Sequence, residues 1–323
     1  MLQRRRVNAG ISSLCLTGAF SARILSAGRP QRIGYLGNLS FTAAQPREVF
    51  VAFQTEMTRR GWVAGRNVVY EFRFADGATE RFPQLARDLV AANVDLIAAM
   101  TTDAARAAKA ATATIPIVFI AAEPVEYGLV ASLARPGANL TGMALMIDQL
   151  LGKRMQLLTQ VIPGISRVAY LGMNERKSIE IARASAEVLK LQLLLADAQS
   201  ADDIPRAVAS ASQADGWLVD EYPMFNANRG RIIELISAQR KPAVFSSVAW
   251  VRDGGLLGYS EDAVDTWRRA AGHVDRILRG AKPADLPVEE STRFVLSVNL
   301  QTARLLGIAI DKRLLLQANE VIE

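Results

Sequence analysis

The stretch that decides the fold is VDLIAAMTTDAARAAKAATATIPIVFIA, residues 94–121. It begins with VDLIAAM and ends with PIVFIA, two nearly unbroken apolar runs. An alanine-rich helical pattern separates the two runs, and Thr101, Thr102 or Asp103 can cap its first turn. Apolar strands joined by a helix are typical of a parallel sheet that is covered on both faces. The stretch therefore predicts an α/β fold.

The same unit of strand, turn and helix recurs along the chain from residue 32 onward. The turn-rich segment RPGANLTG, residues 135–142, interrupts the recurrence and divides it into two runs. The length of 323 residues agrees with this division, because one hydrophobic core usually serves ~100–200 residues. We therefore predict two Rossmann-like α/β lobes with parallel sheets, and a hinge between them near Thr141 and Gly142.

The predicted organisation has four segments. A removable leader comes first, an N-terminal and a C-terminal α/β lobe follow, and a last segment holds a long helix and the tail. Local patterns also predict a short helix near residues 129–133 and a long helix near residues 261–279. The four predicted segments are residues 1–27, 28–142, 143–254 and 255–323.

The start of the chain has the layout of a secretory signal peptide. Arg4, Arg5 and Arg6 form a basic start, residues 7–20 are mostly small and apolar, and Ala27 can precede a cleavage point. The apolar run is too short for a membrane-spanning helix, which needs ~20 apolar residues. The adjacent arginines also allow a twin-arginine export signal, and a disordered N-terminal tail is the open alternative.

The excess of basic residues is concentrated in this leader. The whole sequence carries 38 basic and 32 acidic residues, a net charge of +6. Cleavage after Ala27 removes four arginines and no acidic residue, which leaves 34 against 32 and a net charge of +2. The lone cysteine, Cys15, leaves with the leader, as suits an oxidising compartment. We therefore predict a periplasmic protein that does not bind nucleic acid.

The sequence lacks the residues that most catalytic and metal sites need. A single histidine, His273, argues against histidine-based metal sites and against Ser-His-Asp catalysis. No glycine motif of a phosphate or dinucleotide site follows a strand, and no GxSxG elbow occurs. We therefore predict no cofactor, no metal ion and no catalytic residues, and so not an enzyme. A soluble two-lobed enzyme or a ligand-sensing receptor domain remains the alternative.

Parallel α/β sheets bind ligands beyond the carboxyl ends of their strands, where loops and helix N-termini offer hydrogen-bond donors. The loops in these places carry hydroxyl, amide, carboxylate and aromatic groups that suit a small amphipathic molecule. Each of these residues could instead be a helix cap or a turn residue. The candidate ligand-binding residues are Asn38, Ser40, Thr101, Thr102, Ala122 and Glu123 in the first lobe, and Asn174, Glu221, Tyr222 and Trp250 in the second.

Two aromatic residues are candidates for stacking on a ligand. Tyr222 and Trp250 both fall on predicted loops at the binding side of the second lobe. Trp217 lies inside a predicted strand, so we expect it in the core.

Several long stretches resemble one family of bacterial proteins. The most specific is AAKAATATIPIVFIAAEPVEYGLVASLARPGANLTG, residues 107–142, together with the ending ANEVIE, residues 318–323. GWVAGRNVVYEFRFADG at residues 61–77 and RILRGAKPADLPVEESTRFVLSVNLQTARLLGI at residues 276–308 fit the same pattern. Nearly the whole chain is similar to the substrate-binding proteins of ABC transporters, of the type that includes tryptophan-binding components.

The resemblance implies the two-lobed fold of periplasmic binding proteins of type 1, with three chain crossovers at the hinge and the ligand between the lobes. Part of residues 255–300 would then complete the N-terminal lobe. The resemblance also implies capture of an amino acid, or of another aromatic or amphipathic molecule, for a membrane permease driven by an ATPase. We expect a monomer. The acidic Asp103, Glu123 and Glu221 favour an amine or another donor-rich ligand.

Overall fold

The computed structural model describes residues 29–38 and 48–323. Within these residues the chain forms two β-sheets, and each sheet packs helices against both of its faces. The predicted signal peptide, residues 1–27, and the candidate residue Ser40 lie outside the described residues.

Strands and helices alternate along most of the chain, as the sequence predicts. The strands are β1 (Gln31–Gly37), β2 (Val68–Phe74), β3 (Leu96–Ala99), β4 (Ile117–Ala122), β5 (Leu140–Leu145), β6 (Arg167–Gly172), β7 (Gln192–Asp197), β8 (Gly216–Val219), β9 (Ala243–Phe245), β10 (Leu257–Glu261), β11 (Glu289–Glu290), β12 (Phe294–Asn299) and β13 (Glu320–Ile322). The α-helices are α1 (Glu48–Arg59), α2 (Phe82–Ala91), α3 (Thr102–Ala111), α4 (Ile147–Val161), α5 (Arg176–Val188), α6 (Ile204–Ser210), α7 (Pro223–Ala227), α8 (Arg229–Ala238), α9 (Val248–Arg252), α10 (Ala263–Leu278), α11 (Leu300–Leu306) and α12 (Lys312–Gln317).

The first sheet has the strand order β11-β5-β4-β3-β1-β2, and all of its strand pairs are parallel. The second sheet has the order β13-β12-β10-β9-β8-β6-β7. It is parallel except where β12 runs antiparallel to β10. The chain crosses from one sheet to the other after β5, after β10 and between β11 and β12. The predicted fold class, two parallel α/β lobes with three crossovers, is therefore confirmed.

The stretch quoted first folds as its pattern predicts. Strands β3 and β4 are adjacent in the first sheet, and nearly every residue in them is buried. Helix α3 connects them, and the side chain of Thr101 accepts a hydrogen bond from the backbone N–H of Ala104. This contact satisfies one of the free N–H groups at the start of the helix. Apolar strands and a capped helix thus form one covered parallel unit.

Helix α10 follows the second sheet in sequence but packs on the first sheet beside α1. The indole Nε1 of Trp62, just after α1, donates to the carboxylate of Asp275 in α10 at 2.8 Å. Arg60 Nη1 lies 3.2 Å from the other oxygen of the same carboxylate. These partly buried contacts hold α10 against the first sheet.

We propose to divide the chain into two lobes along this sheet membership. The first lobe then comprises β1–β5, β11, α1–α3 and α10, and the second lobe comprises the other elements. The segment bounds at residues 142 and 254 that the sequence suggests stay predictions.

The predicted long helix is confirmed, and two other local predictions differ from the structure. Helix α10 spans Ala263–Leu278 after the cap Asp262, within two residues of the predicted bounds, and Glu261 ends strand β10. Residues 129–133 form bends and irregular backbone rather than a short helix. Thr141 and Gly142 lie inside β5, so the chain crosses slightly later, after Leu145.

Gly142 fits its place in β5 because it has no side chain. Its φ is +155°, and a Cβ there would lie 2.0 Å from the carbonyl oxygen of Phe119 in β4. Any side chain would force β4 and β5 apart just before the first crossover.

Among the described residues, no helix combines the length and apolar character that a membrane span requires. Within the same part of the chain, no group of three or more His, Cys, Asp or Glu side chains is arranged to hold a metal ion.

Candidate functional site

Loops at the carboxyl ends of the two sheets meet across the space between the lobes. The ammonium group of Lys177, in α5 of the second lobe, contacts the carboxylates of Glu123 and Glu126, which follow β4 of the first lobe. On the same side, the hydroxyl of Tyr127 lies 3.5 Å from a carboxylate oxygen of Glu175. We call these five residues the interlobe bridge. It holds the two sets of loops in contact.

A second contact joins the lobes at a different place. Arg252 in α9 lies 3.7 Å from Glu48 at the start of α1, and it also forms an ion pair with Glu320 at 2.7 Å. About half of the Arg252 side chain is exposed, so this contact contributes little to stability. Within the described residues, ion pairs thus join the lobes both at the interlobe bridge and between α1 and α9.

The predicted first-lobe threonines organise the loops of that lobe. Thr101 caps α3, and the hydroxyl of Thr102 accepts a hydrogen bond from the backbone N–H of Ala122 at 3.0 Å. Two of the predicted strand ends are thus brought together. Asn38 acts in the same way, because its side-chain oxygen accepts from the N–H of Gly77 at 3.2 Å.

Two of the predicted residues adopt the left-handed backbone conformation that non-glycine residues rarely use. The φ angle is 45° at Glu123 and 53° at Asn174. A backbone in such a region costs on the order of 1 kcal/mol and is often found in binding sites. Glu123 follows β4 and Asn174 follows β6, so the strain lies at the carboxyl end of each sheet.

Tyr222 is held in place from two sides. Its hydroxyl donates to the second carboxylate oxygen of Glu175 at 2.8 Å, and its ring meets the ring of Phe225 edge-on at 5.5 Å. Burial and nearby carboxylates raise the pKa of the Tyr222 hydroxyl above its ordinary value, so it stays a hydrogen-bond donor at neutral pH. Tyr222 and the interlobe bridge therefore share Glu175.

The second lobe holds a buried group of charged residues at its carboxyl edge. Arg154 in α4 has no exposed surface, and it donates to the carbonyl oxygens of Tyr259 at 2.7 Å and Ser246 at 3.2 Å. Its guanidinium lies 3.5 Å from the carboxylate of Glu221. We call Arg154, Asp220, Glu221 and Glu261 the acid–arginine cluster.

Burial shapes the acidity of this cluster. It raises the pKa of Asp220 and of Glu221 above the ordinary carboxyl range, although the positive charge of Arg154 opposes the shift. Burial also raises the pKa of Glu261 to about 7. Two buried acids and the partly exposed Glu221 thus surround one arginine, and an approaching hydrogen-bond donor or positive charge would favour their charged forms.

Some polar atoms in and beside this cluster have no hydrogen-bond partner among the described residues. They are Nη1 of Arg154, Oε2 of Glu261 and the hydroxyl of Ser246. Buried polar groups are nearly always satisfied, so we expect water or a polar group of a ligand to reach these atoms. Ser246 follows a predicted strand on the binding side, whereas Arg154 and Glu261 are not among the residues that the sequence predicts for the site. The burial of Arg154 could have been predicted, because it lies four residues after Leu150 and four before Leu158, on the apolar side of its helix.

The structure corrects the prediction for Trp250. This residue lies in α9 rather than on a loop and has no exposed surface. Its ring stacks on Phe245 with the ring centres 4.9 Å apart, and its Nε1 donates to Asn226 at 2.8 Å. The side chain is part of the second-lobe core and is not available to stack on a ligand. Trp217 is buried in β8, as predicted.

A cavity of about 230 Å³ lies at the first crossover. Its wall comes mainly from the loop after β4, the end of β5 and the start of α4. Of the predicted site residues that the structure describes, only Glu123 lines it. The volume is below the ~300–1,000 Å³ of ordinary small-molecule pockets, so the cavity suits a small group. The lining residues are Glu123, Pro124, Val125, Glu126, Leu133, Ala144, Leu145, Met146, Ile147, Gln149 and Glu290.

Known proteins share both the sequence and the architecture of this chain. A tyrosine-binding protein of Clostridioides difficile (strain R20291) is 24% identical over 257 residues, which cover 77% of this chain and 73% of that protein. An ABC domain from Streptococcus pneumoniae, solved in complex with L-Trp, is 24% identical with a TM-score of 0.81. A conserved domain protein from Vibrio cholerae is 23% identical with the same TM-score. Each solved structure is covered completely and matches 91% of this chain.

The family comparison covers most of the chain. The family model described as "ABC transporter substrate binding protein" matches residues 48–322. This range includes every described strand except β1, and both sides of the interlobe bridge. The chain therefore belongs to the ABC transporter substrate-binding protein family.

Proposed function

We propose that this substrate-binding protein captures an aromatic or other amino acid between its two lobes and delivers it to its permease. The observation that carries the proposal is the meeting of the two carboxyl edges, with the acid–arginine cluster on one of them. Two similar proteins support the proposal, since one is named a tyrosine-binding protein and the structure of the other contains L-Trp.

The chemistry of the two edges suits the two ends of an amino acid. The acid–arginine cluster offers carboxylates for an ammonium group, and Glu221 keeps about a third of its side chain exposed. The loops after β3 and β4 offer backbone and hydroxyl groups at the N-terminus of α3, where a carboxylate is favoured. Of the sequence-predicted set, we keep Asn38, Ser40, Thr101, Thr102, Ala122, Glu123, Asn174, Glu221 and Tyr222 as proposed ligand-binding residues.

A ligand that contacts both lobes favours the arrangement in which the lobes touch. The three crossovers are the places where the chain can rotate between an open and a closed arrangement. In this proposal the permease recognises the closed form, an ATPase drives the import, and the protein acts as a periplasmic monomer without catalytic activity.

Isothermal titration calorimetry of the purified chain with L-tryptophan and L-tyrosine tests the ligand class. We expect saturable binding of at least one of them, with a negative heat-capacity change from burial of the aromatic ring. Glycine, which has the same charged groups and no ring, should bind more weakly. Absence of binding to all three amino acids would contradict the proposal.

Export is tested separately. N-terminal sequencing of protein recovered from the periplasm should begin near Gly28, after the predicted leader. An intact Met1 in the cytoplasmic fraction would contradict the periplasmic location without bearing on ligand binding.

A further inference from the structure

One side chain links two of the three crossovers. Glu261 is the last residue of β10, directly before the chain crosses back to the first lobe. Its Oε1 accepts a hydrogen bond from the backbone N–H of Met146, the residue that follows β5 where the chain first leaves that lobe. The two residues are 115 positions apart in sequence. A change in the angle between these two crossovers acts directly on this contact.

Charged groups surround Glu261, but among the described residues they form no hydrogen bond with the second oxygen of its carboxyl group. Its Oε2 is buried and has no hydrogen-bond partner among the described residues. From α4, Arg154 faces it, and from the loop after β8, Glu221 faces it beside Asp220. Next to it in sequence, Asp262 lies 3.7 Å from Arg293, just before β12 at the third crossover.

Burial is the main cause that raises the pKa of Glu261 from its ordinary value of 4.5 to about 7, and the charge of Glu221 adds to it. The N–H of Met146 and the charge of Arg154 act in the opposite direction. Because burial dominates, any arrangement that admits water to this carboxyl returns its acidity toward the ordinary value.

We propose that Glu261 acts as a proton-linked clasp between the crossovers of the hinge. Its carboxyl group is neutral while the lobes touch, and it becomes charged when rotation at the crossovers admits water to it. The clasp goes beyond the proposed function, because it acts on the protein without any ligand. Opening would release a proton, and closing would take one up.

The sign of the pH effect follows from the direction of the shift. A carboxyl that binds its proton more tightly in the closed arrangement stabilises that arrangement at low pH. This stabilisation is lost as the pH rises from the ordinary value toward the raised one. If the open arrangement restores the ordinary pKa fully, the ratio of closed to open molecules falls on the order of 100-fold over this range.

Double electron–electron resonance between one spin label on each lobe tests the clasp. The background is the full chain with Cys15→Ser, which has no other cysteine. Glu80→Cys and Glu187→Cys then place labels on exposed positions of the first and second lobe. Without added ligand, we expect the distance distribution to shift toward an open form between about pH 5 and about pH 8.5.

Two variants decide whether Glu261 is responsible. Glu261→Gln keeps an oxygen that can accept from Met146 but cannot lose a proton, so its distance distribution should stay closed and independent of pH. Glu290→Gln changes an exposed carboxyl at the third crossover and should keep the wild-type pH dependence. The proposal would be overturned if the distance between the labels does not depend on pH in the protein that retains Glu261. It would also be overturned if Glu261→Gln keeps the same pH dependence. Neither result depends on whether the protein binds an amino acid.

Discussion

The carboxyl edges of the two lobes are built on different physical principles. In the first lobe, the hydroxyl groups of Thr101 and Thr102 accept local hydrogen bonds, and the carboxylates of Glu123 and Glu126 are paired with Lys177 of the other lobe. In the second lobe, Arg154, Asp220 and Glu261 are buried together beside the partly exposed Glu221, and some polar atoms have no partner among the described residues. Local caps and close packing therefore fix the first edge, whereas the second edge can respond to a change in charge.

The comparison is tested most strongly by removing the buried arginine. Arg154→Met should lower the free energy of unfolding by about 3–5 kcal/mol, because it leaves neighbouring acids and two carbonyl groups without their partner. Urea denaturation followed by circular dichroism measures the loss. Arg106→Met, in which more than half of the first-lobe side chain is exposed, is the matched control and should change stability by less than about 0.5 kcal/mol. If both variants lost the same free energy of unfolding, charge would not distinguish the second lobe from the first.

The first lobe should be most sensitive to added volume near the first crossover. Gly142→Ala should cost about 3 kcal/mol of unfolding free energy, because its methyl group would clash with the backbone of Phe119. Gly230→Ala lies in a helix with open space around it and should be neutral or stabilising. Thermal unfolding of both variants measures the difference. A tolerated alanine at position 142 would show that shape does not fix this edge.

Ligand binding should depend more on the charge of the second lobe than on the hydroxyls of the first. Glu221→Gln should weaken the binding of L-tryptophan about tenfold, since hydrogen bonds to charged groups contribute about 1.5–3 kcal/mol. Thr102→Val should have a smaller effect, because its hydroxyl accepts a bond from Ala122 and acts on the loop instead. Calorimetric titration of both variants ranks them, and the reverse order would contradict the comparison.

The smallest effect is expected where the two lobes touch. Lys177→Met removes both ion pairs of the interlobe bridge, and it should favour opening by up to about 1 kcal/mol because the lysine is partly exposed. Small-angle X-ray scattering should show a larger radius of gyration. Arg176→Met changes the neighbouring residue, whose ion pair with Glu180 stays within α5, and should leave the radius unchanged. An identical radius in both variants would mean that the bridge does not hold the lobes together.

Much of the fold could be predicted because its signals are local. Strands such as β3 and β4 are apolar along their whole length, and their positions follow from sequence alone. Very short edge strands such as β11 and β13 have too few residues for any periodic pattern, so they could not be predicted from the sequence.

The candidate site was harder to predict because its contacts are distant in sequence. Arg154 binds carbonyl groups 92 and 105 positions away, and the partner of Glu261 lies 115 positions away. The place of Trp250 in the core could not be predicted, because a five-residue helix has no clear periodic pattern and resembles a loop in sequence. The loop positions after the strands correctly indicate the carboxyl edge of each sheet, but they do not show which side chains are buried there.

The return of α10 to the first sheet has a consequence for how this chain folds. The hydrogen bond between Trp62 and Asp275 joins residues 213 positions apart, with the second-lobe strands β6–β10 between them in sequence. A ribosome-bound or truncated chain that ends before α10 cannot complete the first lobe. The second lobe gathers β6–β10 earlier, but its strands β12 and β13 also follow α10 in sequence. Both lobes therefore depend on segments that are synthesised last, and their completion is the late, non-local step of folding.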